Sequence, residues 1–357
     1  MTLLKLDVFS VRNIQSASIL PSPNLNLITG ANASGKSSLL EAIFILGRVR
    51  SFRTPHIKQA INYEQSNLIV SAQNRLVNGF ICNIGIQIDN KNCEIRIDQE
   101  NKHKADLAYA LPVQLIHPKS YRLLDAGPQI RREFLDWGIF NHNRNFLPNW
   151  RKFSKALQQR NALLKSRQFQ QLFAWDKELL EYGVLINEFR HEYLQALQPV
   201  FLEMAAYFLQ EDNINLRFIA GWDEKHAFEE ILKADLEKDK RYGFTHSGPH
   251  RADFLTYLDK RLAKDYLSRG QQKLLVLALL LAQVKLLNQH AQNQCCILID
   301  DLTAELDTLN RLKLLEYLSM LDCQVFMTGA ELTDFGDLSR LNNYKLFHVE
   351  QGCIKQL

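Results

Sequence analysis

The chain has 357 residues, of which 46% are hydrophobic and 23% are charged, and its formal net charge is +4. This composition is that of an ordinary soluble globular protein, long enough for two domains or for one large domain with an insertion. A net charge this small makes a whole-chain argument for nucleic-acid binding weak, so the distribution of charge has to carry such an argument.

The N-terminal sequence MTLLKLDVFSVRN has no basic region followed by an apolar stretch, so we expect no signal peptide. The longest strongly apolar run, Leu274–Ala282, is too short to span a bilayer. The six cysteines include no C-x-x-C pair. We therefore expect buried thiols in a reducing cytoplasm and no disulfide framework or membrane segment.

A small-residue loop separates a strand-like segment, LNLIT, from a helix-like segment, SSLLEAIFIL. The loop GANASGKS fits the pattern G-x-x-x-x-G-K-[ST], whose glycines let the backbone wrap around nucleotide phosphates. Backbone amides and the helix N-terminus supply partial positive charge there. The alternative is a plain strand-to-helix turn. The pattern predicts nucleotide contacts from Gly30, Ala31, Asn32, Ala33, Ser34, Gly35, Lys36, Ser37 and Ser38. Lys36 should reach the β- and γ-phosphates, and Ser37 should hold Mg²⁺.

Two segments of the chain carry bases but no acids. The first is GRVRSFRTPHIK at 47–58, and the second runs from Trp137 to Trp175 with seven bases. Fourteen acids and five bases follow between Asp176 and Glu237. The basic segments would form a track for DNA phosphates, or else a solvated helix face paired with the acidic helix behind it. The predicted DNA-binding residues are Arg48, Arg50, Arg53, Arg151, Lys152 and Lys155.

Residues 119–237 carry no nucleotide chemistry and predict a helical arm. A heptad-like stripe of apolar or aromatic residues extends for less than three repeats, at Leu179, Tyr182, Ile186, Phe189, Tyr193 and Ala196. This length predicts a short helical lobe and not a long coiled coil. The aromatic residues Trp150, Phe153 and Phe173 are expected in the core and not against nucleic-acid bases.

The segment THSGPHRADF contains His246 and His250 at a spacing of four. Gly248 and Pro249 break the helix that would align the two rings, so we expect no zinc site. A structural turn and a turn that lines a site both remain open.

The segment LSRGQQKLLVLALLLAQVKLL at 267–287 predicts a buried, capped helix. Ser268 and Gln271 have the spacing of a capping box. The helix is apolar on nearly every face from Leu274 to Leu281, so its N-terminus is fixed and offers amides to an anion. A capped core helix without a ligand is the alternative, but it leaves the exposed sequence RGQQ unexplained.

The segment CCILIDDLTAELD at 295–307 predicts a buried strand that ends in two acids. Asp300 would steady Mg²⁺ together with Ser37, and Asp301 stands where a base orients the attacking water. The predicted catalytic residues are thus Lys36, Asp300 and Asp301. About 265 residues separate the two motifs, which predicts an insertion within the ATPase core.

The order of phosphate loop, long insertion, L-S-x-G-Q, Asp-Asp strand and AELD resembles the ABC-type ATPases, including SMC-like heads. Within that class the chain resembles the RecF family along nearly its whole length, in GANASGKSSLLEAI, GRVRSFRT, LPVQLIHP, RREFLDWGIF, THSGPHRADF, LSRGQQKLLVLALLLA, LIDDLTAELD and QVFMTGAE. The resemblance implies an α/β ABC-type P-loop ATPase head with an inserted helical arm lobe. The head would comprise 1–118 and 238–357, and the arm 119–237.

The resemblance also implies a function. It implies a weak, DNA-dependent ATPase that uses ATP and Mg²⁺ as a switch in the cytoplasm, with no membrane contact. ATP would close a homodimer on gapped or junction DNA, and RecR and RecO would be partners in loading RecA. In such dimers Ser268, Gly270 and Gln271 would contact the nucleotide of the other subunit. The alternatives are an ATP-binding subunit of a transporter or SMC-like system, a small-molecule phosphotransferase, and a scaffold that binds ATP without hydrolysis.

Several residues depart from the pattern of these ATPases. Ala33 stands where glycine is usual, Lys273 where arginine is usual, and Asp301 where ABC transporters have glutamate. No histidine follows QVFMT, and Thr328 is the nearest polar residue. These departures suggest slow hydrolysis. Gln114 lies near the expected glutamine loop, but LIHPKSY offers no glutamine after the strand.

Overall fold

The computed structural model describes residues 2–289, 294–301, 306–338 and 343–357. The strands, in chain order, are β1 (Thr2–Val11), β2 (Ile14–Ile19), β3 (Leu25–Thr29), β4 (Asn67–Arg75), β5 (Ile81–Asp89), β6 (Cys93–Ile97), β7 (Glu100–Asn101), β8 (Val113–Ile116), β9 (Ile214–Ile219), β10 (Asp253–Leu258), β11 (Arg261–Leu262), β12 (Cys296–Ile299), β13 (Val325–Thr328), β14 (Tyr344–Glu350) and β15 (Cys353–Gln356).

The helices are α1 (Lys36–Arg48), α2 (Lys104–Ala110), α3 (Arg122–Asp125), α4 (Pro128–His142), α5 (Phe146–Lys165), α6 (Leu172–Leu209), α7 (Phe228–Ala234), α8 (Leu236–Tyr242), α9 (Ala263–Tyr266), α10 (Arg269–Gln289) and α11 (Thr308–Met320). Short 3₁₀ turns lie at Phe169–Gln171 and Pro249–Arg251, among other places.

The chain divides into two compact units, Met1–Ser120 with Leu287–Leu357, and Tyr121–Leu286. The first boundary, after Ser120, lies close to the predicted boundary at 118. The second lies before Leu287 and not at the predicted 237. Residues 238–286 group with the arm because β10 pairs with β9 and because Gln283 Nε2 donates to Phe134 O at 3.0 Å. The assignment of the 267–287 segment to the ATPase machinery remains a prediction.

A mainly parallel sheet, ordered β15-β14-β3-β13-β12-β8, organises the first unit. All five residues of β3 and all four of β12 are buried, as expected for parallel strands covered on both faces. Strands β3, β13, β12 and β8 run parallel, so their carboxyl ends meet at one edge of the sheet. The phosphate loop, the two aspartates and Thr328 all follow or end these strands.

The second sheet of this unit is antiparallel and is ordered β2-β1-β4-β5-β6-β7. Strands β4 and β5 alternate buried and more exposed residues, the pattern of a sheet with one face on the core. Leu6 and Val70 from this sheet join Leu39 and Ile43 of α1 in one apolar core. This packing fixes α1, and with it the end of the phosphate loop.

The second unit contains helices α3–α9, most of α10, and the three-stranded sheet β11-β10-β9. Helix α6 has 38 residues and pairs with α5 as a helical hairpin. The predicted stripe lies on α6, where Leu179, Ile186 and Tyr193 are buried. The expectation of helices in this part of the chain is therefore confirmed.

The expected burial of the aromatic residues among the bases is only partly confirmed. Phe153 is buried, but Trp150 is 37% exposed and Phe173 is 76% exposed. Leu172 occupies the inward position at the start of α6, so its neighbour Phe173 points away from the packed face. The prediction was wrong for Phe173.

Helix α10 is long and apolar enough to cross a bilayer, with a mean hydropathy of 1.3, but 72% of that stretch is buried in the protein. Such burial is that of a core helix, as the sequence predicted. The six cysteines are free thiols. Cys82, Cys295, Cys296 and Cys323 are buried as expected, whereas Cys93 and Cys353 are exposed.

Candidate functional site

The phosphate loop follows β3 and ends at α1, as the sequence predicted. Gly30 and Gly35 have φ angles of 147° and 121°, which side-chain-bearing residues rarely adopt. A Cβ on Gly30 would lie 2.2 Å from Val349 O, so glycine is required there on steric grounds as well. Ala33 also has a positive φ, 63°, at the position where the resembling families usually have glycine. The departure at Ala33 therefore places a side chain on left-handed backbone, at some cost in strain.

Asn13, in the β1–β2 turn, braces the phosphate loop from one side. Its Nδ2 donates to Ser34 O at 2.9 Å, and its Oδ1 accepts from Ser38 Oγ at 2.8 Å. The backbone N–H of Gly352 also donates to Ser34 O, at 2.7 Å. These contacts come from segments distant in sequence, and no sequence signal pointed to Asn13.

The polar groups of the loop suit a phosphate chain. Lys36 Nζ donates to Gly30 O at 2.6 Å and to Ala31 O at 3.0 Å, so the ammonium group lies inside the curve of the loop. Ser34 Oγ is buried without a hydrogen-bond partner in the part of the chain that the structure describes. A buried hydroxyl and a curled lysine fit an anionic ligand, and ATP is the anion that this loop type holds.

The side chains predicted to hold Mg²⁺ lie together next to the loop. Ser37 Oγ donates to Asp300 Oδ1 at 2.9 Å. Asp300 directly follows β12, and its backbone N–H donates to Ile116 O at 2.9 Å, which anchors it at the end of β8. Hydroxyl and carboxylate oxygens are ligands that Mg²⁺ prefers, so Ser37 and Asp300 fit the ion.

Thr328 connects the two aspartates. Its Oγ1 donates to Asp300 Oδ1 at 2.9 Å and accepts from the backbone N–H of Asp301 at 3.0 Å. Thr328 is fully buried at the end of β13, whereas the Asp301 side chain is exposed and its φ is 52°. The sequence analysis named Thr328 only as the nearest polar residue where a histidine is missing, and the structure places its neutral hydroxyl beside both acids.

His117 follows β8 and was missed as a site residue. It lies at the same sheet edge as Asp300, because Ile116 pairs with Ile299. Burial lowers the pKa of His117, and the Asp300 carboxylate acts against that shift. Gln114 is buried inside β8 and does not reach this edge. The pairing of β8 with β12 is the observation that places His117 at this edge. The segment LPVQLIHP contains this histidine, but no local pattern marked it as a candidate site residue.

The capping box predicted at the start of α10 is confirmed. The backbone N–H of Ser268 donates to Gln271 Oε1 at 3.0 Å, and the N–H of Gln271 donates to Ser268 Oγ at 3.3 Å. Ser268 and Gly270 are exposed, and a Cβ on Gly270 would meet no described atom within 4 Å. This segment belongs to the second unit, whereas the phosphate loop belongs to the first.

The predicted AELD segment is described only in part. Ala304 and Glu305 lie outside the described residues. Leu306 is buried, and Asp307 caps α11 by accepting from the backbone N–H of Asn310 at 2.8 Å.

The two histidines of THSGPHRADF belong to a buried polar network. His246 Nδ1 lies 2.7 Å from Asp239 Oδ1, and the other carboxylate oxygen of Asp239 accepts from Arg160 Nη1 at 2.6 Å. His250 Nε2 lies 3.0 Å from Thr245 O. Among the described residues, no cluster of three or more potential metal ligands occurs. The geometry is that of a structural turn.

The bases after α1 are partly engaged within the protein. The buried Glu41 carboxylate accepts from Arg12 Nε at 2.9 Å and lies 3.7 Å from Arg53 Nη1. Arg48 is half-buried, and its guanidinium lies 5.9 Å from the centre of the Phe44 ring. Arg50 is exposed. Arg48 and Arg53 thus interact within the protein, as the internal-pairing alternative predicts, whereas the exposed Arg50 suits the phosphate-track alternative.

On α5, Arg151, Lys152 and Lys155 are exposed. Lys152 Nζ donates to Tyr182 OH at 3.2 Å, and Lys155 Nζ lies 5.9 Å from the centre of the Trp175 ring. Arg160 is fully buried and pairs with acids, so it is not part of an external basic surface. Of the bases on α5, Arg160 therefore follows the internal-pairing alternative, and Lys152 follows it in part through its bond to Tyr182.

The family model described as "RecF/RecN/SMC N terminal domain" matches residues 2–355. The DNA replication and repair protein RecF of Pseudomonas aeruginosa (strain LESB58) is 42% identical over 361 residues, which cover 100% of this chain and 98% of that protein. This chain belongs to the RecF family. RecF from Pseudomonas putida (strain GB-1) is also 42% identical, over 362 residues with the same coverage.

Solved RecF structures share the fold. A structure described as the recombination mediator protein RecF-ATP in the RecFOR pathway has a TM-score of 0.88 and 25% identity, covering 100% of this chain and 97% of that one. A RecF-ATPrS structure has a TM-score of 0.87 and 26% identity, and the match covers 99% of this chain and 98% of that one. An SMC head bound to the C-terminal winged-helix domain of ScpA has a TM-score of 0.61 and 14% identity, and the match covers 100% of this chain and 97% of that one. At this identity the match supports the fold alone. The α/β architecture is thus that of the RecF and SMC head ATPases.

Proposed function

We propose that this protein is an ATP-switched, DNA-binding repair protein of RecF type. The observation that carries the proposal is the cluster of Lys36, Ser37 and Asp300 at one edge of the parallel sheet, within a chain that matches RecF proteins over its full length. ATP and Mg²⁺ are the cofactors that this cluster fits.

The residues of the cluster have distinct roles in this proposal. Mg²⁺ would neutralise part of the negative charge on the β- and γ-phosphates. Lys36 leaves its two carbonyl partners to contact the same phosphates, and Ser37 and Asp300 hold the metal ion. Asp301 orients the attacking water, and Thr328 fixes the backbone of Asp301 through its hydroxyl.

Hydrolysis in this proposal is weak and stimulated by DNA. Asp301 is exposed on left-handed backbone, and the neutral Thr328 is the nearest polar residue at the end of QVFMT, which no histidine follows. The site therefore has few ionisable groups with which to stabilise charge that develops during the reaction. Slow turnover suits a switch, because the ATP-bound state then lasts long enough to act on DNA.

The ATP-bound state would be a homodimer closed on gapped or junction DNA. Ser268, Gly270 and Gln271 of one subunit would contact the nucleotide of the other, since the exposed start of α10 offers backbone amides to an anion. Among the predicted DNA-binding residues, five are exposed and could contact DNA phosphates, namely Arg50, Arg53, Arg151, Lys152 and Lys155. RecR and RecO are proposed as partners in loading RecA, on the strength of the RecFOR pathway named for the matching structures. The cytoplasm, where the DNA of bacteria lies, is the proposed location.

Sedimentation with ATP, with and without gapped DNA, tests the proposal. We expect a monomer without ATP, a dimer with ATP, and co-sedimentation of the dimer with gapped DNA. The variant Lys36→Met serves as the control that should remain monomeric. A protein that stays monomeric and free of DNA under all of these conditions would contradict the proposal.

A further inference from the structure

The distal end of the α5–α6 hairpin presents exposed aromatic rings. Phe173, at the second position of α6, is 76% exposed, and Tyr242, at the end of α8, is 57% exposed. The half-buried ring of Phe169 lies in the 3₁₀ turn that connects α5 to α6. Large rings this exposed at the end of a hairpin are not required by the packing of the two helices.

Cationic side chains lie around these rings. Lys240 Nζ lies 5.6 Å from the centre of the Phe169 ring, and the Arg241 guanidinium lies 5.6 Å from the centre of the Tyr242 ring. The end of α8 lies against the end of α5, since a Cβ on Gly243 would be 3.5 Å from Lys165 Cγ. We call this surface the cationic–aromatic tip, and it consists of Lys165, Arg167, Phe169, Phe173, Lys240, Arg241 and Tyr242.

The acids close to the tip do not cancel its charge. Asp176 and Asp239 pair with the buried Arg160, at 2.6 Å in each case. Glu237 pairs with Lys240 at 2.7 Å. Lys165, Arg167 and Arg241 remain exposed. The tip therefore offers three exposed cations beside exposed rings, and its charge is complementary to a polyanion.

We propose that the cationic–aromatic tip binds single-stranded nucleic acid. An exposed ring stacks on an unpaired base, whose flat face is available only where the strands are separated, and neighbouring cations contact the phosphates. A duplex hides its base faces within the stack, so Phe173 gains nothing from duplex DNA. The inference rests on the proposed function, and within it assigns the single-stranded side of a gap or junction to the arm.

Binding of a labelled oligo(dT) strand and of a labelled duplex of equal length, measured by fluorescence anisotropy with ATP present, tests this inference. Phe173→Ala should weaken binding of oligo(dT) by about fivefold or more, because one stacked base is lost. Duplex binding and ATP binding should not change. Phe173→Trp keeps a stacking ring and should retain affinity, and its added emission should be quenched by oligo(dT).

Phe80→Ala is the matched control, because Phe80 is 72% exposed in the β4–β5 turn of the other unit. It should leave both affinities at the parent values. The double variant Lys165→Gln/Arg167→Gln should lower the slope of log affinity for oligo(dT) against log salt by about 1.4, because each contact to a single-strand phosphate contributes about 0.7.

The outcomes separate this inference from the proposed function. Parent protein that binds duplex but not oligo(dT), or Phe173→Ala with unchanged affinity for oligo(dT), overturns the inference and leaves the proposed function standing. Equal losses for Phe80→Ala and Phe173→Ala also overturn it. Parent protein that binds neither oligo(dT) nor duplex overturns the inference, and parent protein that also fails to bind gapped DNA overturns the proposed function as well.

Discussion

At the scale of single residues, Thr328 interacts differently with the two acids of the site, Asp300 and Asp301. Thr328 Oγ1 has one hydrogen to donate and gives it to Asp300, while its lone pair accepts the Asp301 N–H. The threonine therefore fixes the backbone of Asp301 and leaves that carboxylate exposed. This exposed carboxylate, directly after β12, is the group that we propose orients the attacking water.

Asp301→Asn should leave ATP binding intact and slow hydrolysis by about 10²-fold, because the carboxylate that orients water is lost while Asp300 still serves the metal ion. The closed dimer should then persist longer with ATP. Phosphate release under single-turnover conditions measures the rate. Asp212→Asn, at an exposed site after α6, is the control that should hydrolyse normally. Hydrolysis by Asp301→Asn at the parent rate would show that Asp301 is not the base.

His250 is expected to make stability depend on pH. Burial lowers its pKa to about 4, and its Nδ1 is buried without a hydrogen-bond partner among the described residues. The unfolded chain binds a proton near pH 6.5, whereas the folded chain does not until about pH 4. Folding therefore excludes a proton between these values, so this residue lowers the free energy of unfolding as pH falls through that window.

His250→Gln keeps an N–H donor for Thr245 O but does not titrate. Between pH 7 and pH 5, the free energy of unfolding of the parent should fall by about 2 kcal/mol more than that of His250→Gln. Urea unfolding at the two pH values measures the difference. His56→Gln, at an exposed histidine, should follow the parent. Equal pH dependence of parent and His250→Gln would contradict a depressed pKa.

At the scale of elements, α5 has two kinds of face. Its buried residues, including Phe153 and Ala156, pack against α6, whereas Arg151 and Lys155 are exposed. Burial removes Arg160 from the exposed face, so the charge run of the sequence overstates the external basic surface. The remaining bases of α5 lie near its N-terminal end, at Arg151, Lys152 and Lys155, and at its C-terminal end, at Lys165.

Reversing Arg151, Lys152 and Lys155 to Glu should weaken DNA binding uniformly across sequences. Each lost phosphate contact should reduce the slope of log affinity against log salt by about one. Lys152 should contribute least, since it already bonds Tyr182 OH. Reversing the exposed Lys225, Lys233 and Lys260 to Glu gives the same change in net charge and is the control. ATP binding should be unchanged in both variants.

An unaltered salt slope in the α5 variant would move the DNA track to another surface. The simplest candidates are then Arg48, Arg50 and Arg53, of which Arg50 and Arg53 are exposed.

Local patterns predicted some elements well and others poorly. The strand, loop and helix around Lys36 were predictable because β3 is uniformly apolar and the loop needs glycines at Gly30 and Gly35. The start of α10 was predictable because Ser268 and Gln271 are close in sequence. His117 and Asn13 were not, since strand pairing and a distant turn bring them to the site. Phe173 was misjudged because composition does not reveal which side of a helix end is covered.

At the scale of the whole molecule, the phosphate loop and the start of α10 lie in different compact units. Lys36, Ser37 and Asp300 form hydrogen bonds within the first unit. The hydroxyl and the backbone N–H of Ser268 bond Gln271, at the start of the same helix. The physics of the α10 start suits a phosphate: Gly270 lets the backbone come close, and the helix N-terminus is positive. Our hypothesis is that each ATP site combines the loop of one subunit with Ser268 of the other.

Lys36→Met should abolish ATPase activity, because the lysine that contacts the phosphates is lost. Ser268→Arg should abolish it as well, because a bulky cation replaces the hydroxyl at the exposed helix start. Mixing the two inactive proteins should restore part of the activity. In each heterodimer one site collects both defects, while the other combines an intact Lys36 with an intact Ser268. Since homodimers also form, recovery should be only a fraction of the parent activity.

The recovered activity should appear only when both proteins are present, and it should rise with protein concentration because dimers form more completely. Each variant alone, at the total concentration of the mixture, is the control. Differently sized tags on the two proteins allow heterodimers to be detected by co-purification. If heterodimers form and the mixture stays inactive, Ser268 acts within its own chain or not at all, and a dimeric clamp with shared ATP sites is excluded.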